Sequence, residues 1–187
     1  MDARDIEKYL SQLGEELADL GVKQPIRVLL LGGAFMLTQV KVRRTTDDID
    51  VLPLDGGGID EATGIPHAVA LWNAAHAVAG KHELPDDWFN TLIAKFVRAA
   101  GEAPIQKLWR TYGPLEVYLP PKEYILVLKL IANREKDQAD IAALLARLKI
   151  RSRDQAQKLV DTYISDREVQ RFFAIHTALD KHFSSLS

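Results

Sequence analysis

Residues 4–20 repeat apolar side chains at spacings of three and four, with Ile6, Leu10, Leu13, Leu17 and Leu20 on one side. That period predicts an amphipathic helix, closed by Gly21. The pattern then changes. Ile26 to Leu31 (IRVLLL) is a short branched run that reads as a buried strand. It runs straight into Gly32-Gly33, after which Ala34 to Val40 starts a helix. Ile49 to Leu54 predicts a second strand, closed by Pro53 and the Asp55-Gly56-Gly57-Gly58 loop. Residues 66–79 are alanine-rich and helical, and Trp88 to Ala100 reads as another helix stopped by Gly101. Gln106 to Tyr112 and Leu115 to Leu119 flank Gly113-Pro114, as a hairpin or two sheet strands. After Pro120-Pro121 the pattern is helical over 121–133, 136–149, 153–164 and 167–183. The expectation is an α+β fold: a small mixed β-sheet flanked by helices, with a C-terminal helical extension. Residues 1–120 form the core with its N-terminal helix and 121–187 the helical region, the two acting as one cooperative unit.

Composition narrows the chemistry. The chain has 187 residues and no cysteine, which removes disulfides, thiolate metal ligands and a cysteine nucleophile, and fits a reducing compartment. The first twenty residues are charged throughout, unlike a signal peptide, and no apolar run approaches the roughly 20 residues needed to span a bilayer. The expectation is a soluble cytoplasmic protein with no membrane partner. A net charge of −2 gives no global attraction to nucleic acid, so a polyanion has to be held by a local patch or through a metal. Arg147, Lys149, Arg151 and Arg153 form one such patch, or else a solvated helix end whose cations complement the dipole. None of His67, His76, His82, His176 and His182 has a partner at the i, i+4 spacing of a helical zinc site, and Walker A and Gly-x-Ser-x-Gly sequences are absent.

The densest signal lies between Leu31 and Leu54, LGGAFMLTQVKVRRTTDDIDVLPL. Side chains alternate across a strand, so Asp48, Asp50 and Leu52 share one face while Ile49 and Val51 face the core. Asp47 falls on the side away from the pair. Like charges so close repel, and a divalent cation removes the conflict. Mg²⁺ is a hard, oxygen-seeking ion held by one or two carboxylates plus substrate phosphates, and Mn²⁺ serves in its place. Glycines at a strand-to-helix junction let backbone N–H groups approach an anion. Alone, Gly32-Gly33 is a tight turn and Asp48-x-Asp50 a pair of solvated acids; together, with fourteen residues between Gly33 and Asp48, they suit a nucleoside triphosphate.

The strand, the Gly-Gly turn and the Arg-x-Thr-x-Asp-Ile-Asp segment resemble the polymerase-β-like minimal nucleotidyltransferases. The resemblance is closest to the branch related to AbiEii-type abortive-infection and toxin–antitoxin nucleotidyltransferases. The matching residues are Gly32, Gly33, Arg44, Thr46, Asp48, Ile49 and Asp50. The resemblance implies triphosphate contact for Gly32 and Gly33, a nucleotide-site place for Arg44 and Thr46, and metal binding for Asp48 and Asp50. Such proteins often carry a third carboxylate on a neighbouring strand. Glu116 alternates with Leu115 and Val117, so it completes a three-acid site if its strand pairs in register; otherwise it is a surface glutamate on an edge strand.

A second constellation follows. Lys129 is the one charged residue of the apolar segment Tyr124 to Ala132 and must snorkel, pair or meet an anion. Asp137 and Asp140 share a helical face; capping and pairing with Lys136 are the plain alternatives. The abortive-infection branch carries a lysine in an apolar helix followed by an Arg-x-Lys-Asp-x-x-Asp-like segment. Lys129, Arg134, Lys136, Asp137 and Asp140 match it, which implies a part in nucleotide transfer for Lys129 and for Asp137 or Asp140. Leu84 to Asn90 (LPDDWFN) also resembles a segment of a small related subfamily, with Trp88 a core or pocket-wall residue. The implied activity is Mg²⁺-dependent transfer of a nucleoside monophosphate from an NTP to an acceptor hydroxyl, on a transfer-RNA 3′ end, another RNA or a protein, by a toxin with a cognate antitoxin or a phage-defence protein. The alternatives are an inactive nucleotide- or partner-binding protein of the same fold, and a helical adaptor with the acids as surface charge.

Overall fold

A computed structural model of the chain describes residues 1–55 and 58–183. Gly56 and Gly57 of the expected glycine loop therefore lie outside the described residues. The chain divides into two compact units, one of Met1–Ile93 with Ile105–Leu119, the other of Ala94–Pro104 with the chain from Pro120 onward.

The first unit is built on a mixed sheet of β1 (Ile26–Leu30), β2 (Ile49–Pro53), β3 (Phe89–Asn90), β4 (Lys107–Tyr112) and β5 (Leu115–Leu119), in the order β3-β2-β1-β5-β4. β1 is antiparallel to β2 and parallel to β5; β3 is parallel to β2, and β4 closes a hairpin with β5. Val28, Leu30, Ile49, Val51, Leu115 and Val117 are fully buried, as period-two alternation requires of a core-facing side. α1 (Ala3–Asp19) buries Ile6, Leu10, Leu13 and Leu17 and begins with a capping box, in which the Asp2 carboxylate accepts from Arg4 and Asp5 N–H while Asp5 accepts from Asp2 N–H. α3 (His67–His82) packs beside it. Between β1 and β2 the chain makes α2 (Gly32–Phe35), which continues as a π-helical turn over Met36–Val40 and ends at Lys41 in the left-handed region.

The second unit is helical. α5 (Lys122–Ala132) is buried on every side from Tyr124 to Ile131, so it is the central helix, with α4 (Ala94–Ala99), α6 (Gln138–Arg147), α7 (Arg153–Tyr163) and α9 (Ile175–Phe183) against it. Two expectations change. The helix expected over 88–100 is strand β3, a turn and α4: Asn90 Oδ1 accepts from Leu92 N–H, a local side-chain bond that competes with helix formation. The helix expected over 167–183 is split into α8 (Arg167–Phe172) and α9, because Ala174 takes a φ of 49°.

Candidate active site

The end of β1 is stitched to β2 by Leu31 N–H donating to the Asp50 carbonyl at 2.9 Å. This fixes the diglycine beside the second acid. Gly32 has a φ of 57°, and a Cβ built on it would lie 2.0 Å from Asp50 Oδ2. A Cβ on Gly33 would lie 2.3 Å from Thr46 Oγ1 and 3.6 Å from Arg43 Nη1. A Cβ at either glycine would therefore displace a side chain: the Asp50 carboxylate closes over Gly32 and the Thr46 hydroxyl over Gly33, with the Arg43 guanidinium in ordinary contact beside it. Asp50 is half-buried between the fully buried Ile49 and Val51, on the other side of the sheet from them. Asp48, the residue immediately before β2, is half-buried; its carbonyl accepts from Thr46 Oγ1 at 3.2 Å. Asp47 is exposed. Arg44 is exposed as well, and the neighbouring Arg43 is the arginine that approaches Gly33.

Glu116 does not join this group. β5 pairs with β1 at Arg27↔Glu116, whereas Asp50 lies across from Leu31, four residues further along β1. That is roughly 13 Å along the strands, with β1 between. Glu116 instead accepts from Tyr118 Oη at 2.8 Å, a bond that raises the Tyr118 pKa. It lines a groove of about 700 Å³ with Arg27, Asp55 and His67 at the other end of the sheet. The three-acid expectation therefore fails on register. Among the described residues no group of three or more Asp, Glu or His is placed to hold a metal.

Asn90 is a further residue at this site. β3 pairs with β2 at Asp50↔Asn90, so on the strand beside β2 it is Asn90 that stands next to Asp50. Its only sequence signal was position within LPDDWFN, in a stretch whose spacing looked helical.

In the second unit Lys129 is neither snorkelling nor exposed. Its ammonium lies 2.5 Å from Asp137 Oδ1 and 2.9 Å from Asp140 Oδ2, with all three side chains buried. Asp137 sits at the N-cap position of α6 without capping it through its side chain. Arg134 lays its guanidinium over the Phe96 ring, 5.5 Å from the centroid. Arg147, Lys149 and Arg151 are exposed, and Arg153 pairs with Asp180. No helix among the described residues is long and apolar enough to cross a membrane.

No curated protein and no solved structure matches the chain. A family model does, over residues 8–172, and the chain thus belongs to the family described as nucleotidyltransferase of unknown function, DUF6036.

Proposed function

We propose that this chain transfers a nucleoside monophosphate from an NTP to an acceptor hydroxyl, releasing pyrophosphate, on a site centred on Gly32, Gly33, Asp48 and Asp50. The observation that carries the reading is the approach of Asp50 Oδ2 to the bare Cα of Gly32, where a Cβ would stand 2.0 Å away. The donor set suits Mg²⁺ or Mn²⁺, since it offers carboxylate oxygens and the chain has no thiol. Asp50 holds the cation from β2, and Asp48 joins it when strand alternation is continued one residue back. Such a cation, when bound, offsets the charge that develops on the transferring phosphoryl group. The first N–H groups of α2, which have no acceptor within the helix, face the phosphates in this reading, and Arg43 adds positive charge beside Gly33.

The resemblance also gives Lys129, and Asp137 or Asp140, a part in transfer. Lys129→Arg keeps the charge and tests this: lost transfer with an unchanged melting temperature supports it. The acceptor in this reading is an RNA 3′ end, with the exposed Arg147, Lys149 and Arg151 following its backbone, or else a protein hydroxyl. A toxin role predicts a cognate antitoxin gene alongside.

The test is thermal stabilisation by each NTP with Mg²⁺, followed by labelled-NTP transfer into total RNA and protein. Metal-dependent stabilisation that disappears in Asp50→Asn is the expected result; stabilisation that persists in that variant sinks the site. Asn90 beside Asp50 favours a second reading, in which the chain binds nucleotide without transferring it. Stabilisation without label transfer selects that reading.

A further inference from the structure

Resting on that nucleotide-binding reading, we infer that the site takes one divalent cation rather than two, and that Asn90 sets this number. Residues opposite one another in a parallel pair point to the same face, so Asn90 is the side chain directly beside Asp50. It is 7% exposed, and both ends of its amide are engaged: Nδ2 donates to Asp87 O at 3.0 Å and Oδ1 accepts from Leu92 N–H at 2.9 Å. The neighbour of Asp50 on the adjacent strand is therefore neutral and held in place.

Few acidic side chains are therefore within reach of Asp50. Two divalent cations 3.5–4 Å apart bring about four positive charges into a small volume. The protein supplies two carboxylates, Asp48 and Asp50, and a guanidinium, Arg43, stands beside Gly33. Glu116, the other acid expected there, is held off by register. One cation shared between the two carboxylates and the triphosphate matches the coordination that Mg²⁺ and Mn²⁺ accept. A second has no anionic side chain on β3 to hold it.

The experiment counts Mn²⁺. The full chain is saturated with the α,β-methylene nucleoside triphosphate, of the four common bases, that stabilises it most. Bound Mn²⁺ is then titrated by electron paramagnetic resonance. The wild type is expected to bind one Mn²⁺ with an uncoupled, mononuclear spectrum, and Asn90→Asp to bind two with spin coupling. Asp50→Asn should bind none. Two Mn²⁺ on the wild type, or a coupled spectrum, overturns the inference while leaving the nucleotide-binding reading intact. So does a count that stays at one in a folded Asn90→Asp chain. No bound Mn²⁺ on any chain overturns both. The wild-type count decides the matter by itself should Asn90→Asp not fold.

Discussion

Gly32 combines two demands at one residue, a positive φ and the absence of a Cβ. Gly32→Ala is expected to strain the backbone and push the Asp50 carboxylate aside, costing about 1 kcal/mol or more of stability. NTP-dependent stabilisation should be lost with it; a Gly32→Ala protein that is stabilised by NTP like the wild type would show that the diglycine does not hold the nucleotide. Asp60 shows the opposite use of an acid. It is fully buried, and its carboxylate accepts from Lys23, Gln24, Ala62 and Thr63 N–H groups and from the Thr63 hydroxyl. These bonds, that from Gln24 foremost, hold its pKa well below the ordinary 3.8. A folded-state pKa lowered in this way contributes stability above 3.8 that is lost as pH falls towards the folded value. Asp60→Asn should therefore melt below wild type at neutral pH, with the gap narrowing in acid; melts across that range check it. An acid with this role looks no different in sequence from Asp48 or Asp50. What marked the latter two was local spacing and the glycines upstream. Asn90 and Glu116 lacked such a mark, because their places depend on which strands pair and in what register.

At the scale of elements, α5 carries a charged group through an apolar core. Lys129 faces two carboxylates presented by the turn before α6 and by its first turn, so the ion group ties α5 to α6 inside the second unit. Removing the ammonium leaves two buried acids together. Lys129→Met should cost about 3–5 kcal/mol. Replacing Lys129, Asp137 and Asp140 together with apolar residues of similar volume should cost less. Urea denaturation of the two variants measures the difference, and equal losses would show that the pairing contributes little. The pattern along α1, β1, β2, β5 and α5 was legible because each has one dominant period or is apolar throughout. β3 was not: two residues are too few to show a period, and only the edge of β2 makes them a strand. The break before α9 was equally silent, since Ala174 is a good helix former taking a left-handed conformation.

For the whole molecule, tryptophan fluorescence reports on the first unit alone, whereas circular dichroism reports on the helices of both. Trp72, Trp88 and Trp109 all belong to the first unit, while the second is helical throughout its described secondary structure. If the chain is one cooperative unit, tryptophan fluorescence and far-ultraviolet circular dichroism should give the same denaturation midpoint. Separated midpoints would mean that the units unfold independently. The amino-acid sequence by itself determined the mixed and helical regions, the helices with a clear period and the Gly-Gly/Asp-x-Asp signal, because these depend on neighbours within a few positions along the chain. Only the tertiary structure decided which strand lies beside Asp50, where Glu116 falls, and what Lys129 meets. Those are pairings between residues distant in the chain, and a shift in strand register relocates a side chain without changing a letter of its local pattern.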